Sequence, residues 1–322
     1  MRFFSYILIG EDMIKNRILI CLLVLFTLLI MYVIPSKEEN NIIITTELEY
    51  IEDTKVSDIY LLDQNNYLGC TKIIVDSDDI EKQVKELLES LIIDGKKQDS
   101  IPSGFKPIIP SNTKINKITY KDNVIKIDLS KDIFDTNEEE KVIESIVYTL
   151  TSIKEIKYVI IYIDGNILTR LPKSNITLPA TLDRSFGINK EYNISSNKNI
   201  TKTTIYYISK FNDEEYYIPV TKVNNDSREK IEIIIDELSS HSTYGSNLMS
   251  YLNSNTKILS VNNENDTLTI NFNDAIYNDI NEKEILEEVI YTISMSINDN
   301  YGINKVNFNV NNEEIYKNYW NV

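Results

Sequence analysis

The chain has 322 residues, and its 33 Lys and Arg against 49 Asp and Glu give it a net charge of −16. We expect no nucleic-acid partner, because binding DNA or RNA requires a basic face that displaces counterions. Two cysteines cannot support a disulfide framework, and no Cys/His spacing typical of zinc occurs. No cofactor is expected, and the length is enough for about two domains.

An uncharged run near the N-terminus predicts a membrane anchor. Residues 18–34 would span about 26 Å as a helix, near the lower limit for crossing a bilayer. Lys15 and Arg17 precede the run, so the positive-inside rule places residues 1–17 in the cytoplasm and the later domains outside the membrane. A cleaved signal peptide is the alternative, but no small-residue cleavage site follows. Met13 is a second candidate start.

Hydrophobic periodicity predicts strands and helices in mixed order after a linker at residues 35–55. Helix caps and turn residues separate the elements. In chain order, the first unit is predicted to contain strands Asp58–Asp63 and Leu68–Val75, a helix capped by Ser77 or Asp78, a hairpin of Lys114–Tyr120 and Val124–Leu129, a helix starting at Thr136 or Asn137, and a strand Tyr158–Ile163.

The same unit occurs twice. The sequence SNTKI stands at Ser111–Ile115 and again at Ser254–Ile258, an offset of 143 residues. At that offset Ile146–Leu150 also aligns with Val289–Ile293. A constant offset over this length indicates a duplicated domain. We therefore predict an α+β fold: two β-β-α-β-β-α-β sandwich domains with helices on one sheet face. Their predicted bounds are 56–172 and 202–322, with a polar linker at 173–201.

Few residues suggest chemistry. His241 lies near serines, but neighbours in sequence are no evidence of a triad. The acidic run Asp76–Asp79 lacks the Gly and distal Glu of a calcium loop, and helix capping explains it better. Asp128 and Asp132 could form a glycan-cleaving carboxylate pair, yet the second unit has Asn and Ala there. We predict no catalytic, cofactor or metal residues.

Tyrosines are candidates for a protein interface, in which exposed Tyr is enriched. Adjacent tyrosines on a strand point to opposite faces, so one of each pair is expected to be exposed. The aromatic cluster near the C-terminus is expected to pack back on the second domain, with a partner-binding tail as the alternative. The candidate interface residues are Tyr206, Tyr207, Tyr216, Tyr217, Tyr316, Tyr319 and Trp320.

The pattern of the first unit resembles the GerMN domain of sporulation and germination proteins. The resemblance rests on Pro110–Ile115, on Val124–Ser130 and on the segment from Glu144 to the Asp164–Gly165 turn. In the second unit Asn271 replaces Asp128, and Asn311–Asn312 replaces that turn.

The resemblance implies a fold similar to small ring-building α+β modules. It also implies a single-pass membrane protein with extracytoplasmic domains, in the space between mother cell and forespore. The implied partners are sporulation membrane proteins or further copies of the chain, and the implied role is scaffolding or docking without enzymatic activity. The alternative is a protein that binds cortex peptidoglycan or regulates a wall enzyme.

Overall fold

The computed structural model describes Leu22, Leu25 and residues 55–240, 247–264 and 266–319, with only the backbone of 317–319. Among the described residues, no helix is long and apolar enough to cross a membrane. The anchor predicted at residues 18–34, apart from Leu22 and Leu25, lies outside them, as do Met13 and His241. Residues 54–322 form a compact unit of their own.

The first repeat has the predicted order β-β-α-β-β-α-β, with a two-residue strand added at its end. Its elements are β1 Val56–Leu62, β2 Leu68–Ile74, α1 Ile80–Leu91, β3 Ile115–Lys121, β4 Val124–Leu129, α2 Glu139–Leu150, β5 Tyr158–Ile163 and β6 Asn166–Ile167.

The second repeat has the same order, preceded by a short strand from the linker. Its elements are β7 Glu191–Asn193, β8 Thr201–Phe211, β9 Glu214–Asn224, α3 Lys230–Ser239, β10 Ile258–Glu264, β11 Thr267–Phe272, α4 Glu287–Tyr301, β12 Lys305–Val310 and β13 Glu313–Tyr319.

Each repeat builds a four-stranded sheet, in the orders β3-β4-β5-β6 and β10-β11-β12-β13. Within each, a hairpin is followed by a helix that crosses to a parallel strand. The strand registers repeat at the offset of 143: Ile118 faces Ile127, and Val261 faces Ile270. Bulges also stand at matching places, between residues 115 and 117 and between 258 and 260. The duplication is therefore visible in the pairing of single residues.

Each helix layer lies between a sheet and a hairpin. Helix α2 is buried on nearly all sides, as its apolar face packs on the sheet and its polar side chains hold β1. The Tyr60 amide donates to Thr149 Oγ1 at 3.0 Å, and Ser145 Oγ donates to the Tyr60 carbonyl. In the second repeat the Tyr206 amide donates to Ser296 Oγ on α4 at 2.9 Å. The helices thus attach the opening hairpin as well as the sheet.

The N-cap of helix α1 lies one residue after Asp78, the later of the two predicted cap positions, Ser77 and Asp78. Asp79 is the N-cap, and its Oδ1 accepts a hydrogen bond from the Lys82 amide at 2.9 Å. Asp76 instead pairs with Lys97 at 2.6 Å. Within the described ranges, no group of three or more His, Cys, Asp or Glu side chains is placed to hold a metal ion. The interpretation of this acidic run as helix capping is confirmed.

The cap can be tested by paired substitutions. We expect Asp79→Ala to lower the free energy of unfolding by about 1 kcal/mol, because the Lys82 amide loses its acceptor. Asp78→Ala is the control, since that side chain is almost fully exposed and meets only Lys55, at 3.7 Å. Urea unfolding followed by circular dichroism measures both. Equal losses in the two variants would contradict the assignment of the cap to Asp79.

Candidate functional site

The two opening hairpins form one sheet that runs through both repeats. Its order is β1-β2-β9-β7, with β8 on the other edge of β9. Strands β2 and β9 meet antiparallel at Cys70 and Tyr217. The two hairpins therefore cover each other's edges at β2 and β9, which would otherwise attract other chains, while β1 and β8 remain outer strands of the sheet.

Asn189 of the linker closes this sheet where the ladder between β2 and β9 stops. Its Oδ1 accepts from the Leu68 amide at 2.8 Å, and its Nδ2 donates to the carbonyls of Leu68 and Pro219 at 2.9 and 2.8 Å. Its φ of 46° lies in the left-handed region, which Asn tolerates better than most residues. One side-chain amide thus supplies the missing backbone partners of both strands.

A buried polar cluster lies at the same junction. We name the Arg184 cluster for Arg184, Asp299, Tyr60, Tyr206 and Tyr148. Arg184 Nη1 lies 2.6 Å from Asp299 Oδ1 and 3.1 Å from the Tyr206 hydroxyl, which itself donates to Asp299 Oδ2 at 3.1 Å. The hydroxyls of Tyr60 and Tyr206 are 3.1 Å apart. A linker residue therefore joins β1, β8 and α4.

The Arg184 guanidinium also stacks on the first repeat. The Cζ atom of Arg184 lies 4.8 Å from the ring centre of Tyr148. The Tyr148 hydroxyl donates a hydrogen bond to the Arg184 backbone carbonyl at 3.1 Å. Burial raises the pKa of Tyr60, Tyr148 and Tyr206, which keeps these hydroxyls protonated as donors. Burial alone would lower the pKa of Arg184, but the Asp299 carboxylate and the tyrosines outweigh it and raise that pKa.

Close aromatic packing completes the junction. Phe105 of the first repeat meets the Tyr216 ring edge-on at 4.8 Å, and Tyr216 donates to Asp63 Oδ2 at 3.0 Å. A Cβ at Gly69 would lie 2.9 Å from the Phe105 ring of its own repeat and 3.1 Å from the Tyr216 ring of the second repeat. Gly104 has φ of +91°, and a Cβ there would lie 2.7 Å from the Phe211 ring. Both glycines are needed because the repeats approach too closely for a side chain.

Comparison with known proteins decides the family. The model of the Germane family, described as sporulation and spore germination, matches residues 58–169 and 204–316. The two matches cover more than half of the chain. The chain belongs to this sporulation and spore germination family. The resemblance to GerMN domains predicted from the sequence is confirmed.

Two relatives extend this result. The spore germination protein GerM of Bacillus subtilis (strain 168) is 28% identical over 285 residues, which cover 86% of this chain and 77% of GerM. The solved structure of the tandem GerMN domains of the sporulation protein GerM from Bacillus subtilis matches with a TM-score of 0.73. It is 26% identical, and the match covers 81% of this chain and 92% of that one.

The tyrosines of β8 and β9 were predicted to lie partly on the surface, and the structure places them elsewhere. In the second GerMN repeat Tyr206 and Tyr207 are each 2% exposed, and Tyr216 is buried. The expectation of one exposed Tyr in the first pair is wrong, because the first repeat covers the face of β8 that the second repeat leaves open. Tyr217 is half-buried, with its ring edge-on to Tyr291 at 6.3 Å. These side chains make contacts within the chain.

The C-terminal aromatic residues lie in or beyond the last strand. Strand β13 pairs with β12, so the expected packing of the tail against the second GerMN repeat is confirmed as far as Tyr319. The Tyr316 ring lies edge-on to Phe308 at 6.3 Å and is partly exposed. The side chain of Tyr319 and the whole of Trp320 lie outside the described residues. A partner for Tyr316 stays a prediction.

The carboxylates considered for glycan cleavage hold turns. Asp128 Oδ1 accepts from the Gly165 amide at 3.1 Å. In the second GerMN repeat Asn271 Oδ1 accepts from the Asn312 amide at 2.9 Å, the same bond at the equivalent position. Asp132 Oδ2 accepts from Ser130 Oγ at 2.8 Å. The interpretation of Asp128 as a structural residue at a strand end is confirmed.

An acidic pocket of about 660 Å³ opens beside the junction, lined by α2 and the linker. Glu144 and Lys190 are nearly fully buried at its base, and their charged atoms lie 3.1 Å apart. Lys190 also reaches Glu140 at 2.8 Å and lies 3.4 Å from the centre of the Phe186 ring. Burial raises the pKa of Glu144 to about 7, although Lys190 and the Asn189 amide favour its ionised form.

Sequence reasoning missed the residues that join the repeats. Arg184 and Asn189 lie in a linker that reads as polar, and their partners are up to 124 residues away. One signal was available: Glu144 lies among Ile143, Ile146 and Val147, where a carboxylate on an apolar helix face requires a partner. The linker also contributes Phe186 to the core. The linker is therefore packed at Leu178, Leu182 and Phe186–Asn189, whereas residues 191–200 are exposed.

The Arg184 cluster predicts a large stability effect. We expect Asp299→Ala to lower the free energy of unfolding by about 3–5 kcal/mol, because it leaves the Arg184 guanidinium without its anion. Glu313→Ala is the control, since Glu313 and its partner Lys283 are both about half exposed, and water screens such a pair so that it contributes little to stability. Urea unfolding measures both. Similar losses would show that Arg184 and Asp299 do not hold the junction.

The buried Glu144 predicts a pH effect. Its folded pKa of about 7 exceeds the ordinary value of 4.5, so the folded state holds a proton that the unfolded state releases. The resulting stability is present below pH 4.5 and is lost as pH rises towards 7, by roughly 3 kcal/mol in total. Relative to Glu144→Gln, the natural chain should therefore lose stability between pH 4.5 and 8.

The measurement is urea unfolding of both proteins at several pH values across this range. Glu138→Gln is the matched control, since Glu138 lies half exposed at the start of the same helix. The stability of the Glu138→Gln variant should change with pH in the same way as that of the natural chain. Parallel curves for Glu144→Gln as well would show that Glu144 titrates normally in the folded protein.

Proposed function

We propose that this GerMN protein is a non-enzymatic, membrane-anchored scaffold of the sporulating cell envelope. Residues 18–34 anchor it, and the tandem repeats stand outside the membrane, in the space between mother cell and forespore. The repeats dock onto sporulation membrane proteins or onto further copies of the chain. What supports this is the family, which covers both repeats, and the 28% identity to the spore germination protein GerM.

The observation that carries the proposal is the way the repeats are joined. A shared sheet, the Asn189 amide and the Arg184 cluster fix one repeat on the other. Two domains on a flexible linker suit independent binding, whereas a rigid pair presents its outer surfaces at a fixed spacing and angle. A fixed geometry is what a repeated assembly requires, because a closed ring forms only when each contact has the same rotation.

The chemistry of the polar residues also favours a scaffold. Asp128 and Asp132, the pair that could have cleaved a glycan, accept hydrogen bonds that hold turns. Asp299 and Arg184 neutralise each other at the junction. Each of these groups has a structural role that explains its presence.

The test is light scattering across a concentration series, on residues 54–322, the compact unit. We expect oligomers of fixed size, or a monomer that crosslinks to a membrane protein in sporulating cells. The Asp299→Ala variant should lose assembly or crosslinking while its circular dichroism stays unchanged, because its repeats would no longer hold one angle.

Soluble peptidoglycan fragments added to the same samples test the alternative. Cleavage of the fragments would contradict the scaffold proposal. Tight fragment binding by a strict monomer that crosslinks to no protein would favour a wall-binding role in its place.

A further inference from the structure

The two repeats differ at one place on their outer surface. In the first repeat α1 covers the edge strand β3: Ile118 and Tyr120 pack against the core, and Glu81 Oε1 accepts from the Tyr120 amide at 2.8 Å. In the second repeat the equivalent residues, 143 positions later, are Val261 and Asn263, and both are exposed. The edge strand β10 is therefore uncovered on the side where β3 is covered.

The cause is a missing helical turn. The buried residues Val84 and Leu91 of α1 correspond to Ile231 and Leu238 of α3, an offset of 147. At that offset α3 would begin at Ser227, but it begins at Lys230. The turn that carries Glu81 in the first repeat is thus absent from the helix of the second. A groove of about 770 Å³ lies between α3 and β10 in its place.

The groove has an apolar lining and an open backbone edge. Ile231, Ile235 and Leu268 lie along it, and Val261 on β10 is 41% exposed. Among the strands that the structure describes, β10 pairs with β11 alone. A strand with an open edge beside an apolar groove can accept a further strand, which gains backbone hydrogen bonds from the edge and buries alternate side chains in the groove.

The charged lining of the groove is acidic on balance, since Glu229, Glu232 and Asp236 outnumber Arg228 and Lys257. Glu229 and Glu232 of its lining form no ion pair with any other described residue. Arg228, which stands where the first repeat has Glu81, points instead to Asp226 at 2.7 Å and to Asp236 at 3.2 Å. Its charge is therefore already neutralised. The free carboxylates favour a basic partner, since complementary charge steers and selects partners at such surfaces.

We propose that β10 and this groove bind an extended segment of a partner protein that carries both apolar residues and Lys or Arg on the face that meets the groove. The segment adds a strand to the sheet at Ile258–Glu264, about 23 Å long at about 3.3 Å per residue. Its apolar side chains enter the groove, and its basic side chains meet Glu229 and Glu232. This assignment rests on the proposed docking role and names the surface and the partner chemistry that carry it.

The test uses the full chain in non-ionic detergent and a labelled eight-residue peptide in which Val and Lys take turns at every second position, with Thr between them, so that both face the groove. A second peptide with Glu in place of Lys controls for charge. We expect the Lys peptide to bind at least tenfold tighter by fluorescence anisotropy. Amide hydrogen exchange at residues 258–264 should slow at least tenfold, while exchange at residues 115–121 of the covered strand β3 should not change.

Two variants separate the groove from general electrostatics. Glu229→Lys with Glu232→Lys should weaken binding at least tenfold, and so should Val261→Lys, whose exposed position should tolerate the change. The control reverses two charges at the exposed tip of the β8-β9 hairpin, Asp213→Lys with Glu214→Lys, and should leave binding unchanged.

Three results would overturn the inference. They are equal binding of both peptides, equal protection of β3 and β10, or protection of β10 that rises with protein concentration when no peptide is present. The last would make a second copy of the chain the occupant. If the 54–322 unit assembles or crosslinks as proposed while β10 stays unprotected, the scaffold role stands and only this partner surface falls.

Discussion

The junction between the repeats depends on one ion pair, in which the Asp299 carboxylate is buried and the Arg184 side chain is largely buried. Arg184 and Asp299 lie where the linker, the first repeat and the second repeat meet, and neither charge could be buried without the other. Because Tyr60, Tyr148 and Tyr206 complete the shell of the guanidinium, the pair fixes a strand and a helix of one repeat against a strand of the next. The linker is held at its midpoint, where both repeats contact it within one compact unit.

That constraint divides the surface of each repeat into two parts. The opening hairpins use the edges of β2 and β9 on each other, together with Asn189, so these two edges are closed to a partner. The four-stranded sheets do not use the edges of their first strands, β3 and β10, at this junction. Strand β3 is covered by α1, whereas β10 is open because α3 lacks its first turn. Duplication thus produced one closed surface and one open surface from the same unit, and an open strand edge persists in a soluble domain only if it is used or protected.

The junction shows how much of the candidate site could be predicted. The register of the repeats at an offset of 143 was readable because strand pairing depends on local alternation. The burial of Tyr206 could not be predicted in this way. The sequence of a strand with two apolar faces does not show which distant element covers each face. Glu144 lay on an apolar helix face, where its need for a cation was foreseeable, but Lys190 as that cation was not.

The sequence by itself determined the duplicated unit, the order of strands and helices, the helix-capping role of the acidic run and the family. These features follow from periodicity, turn chemistry and self-similarity, which act over a few residues or repeat at a fixed spacing. Only the tertiary structure decided which surfaces are hidden between the repeats and which stay open. That outcome depends on contacts between residues as far apart as Tyr60 and Arg184, and on the loss of a single helical turn. No local pattern encodes either, because each is a property of two surfaces meeting.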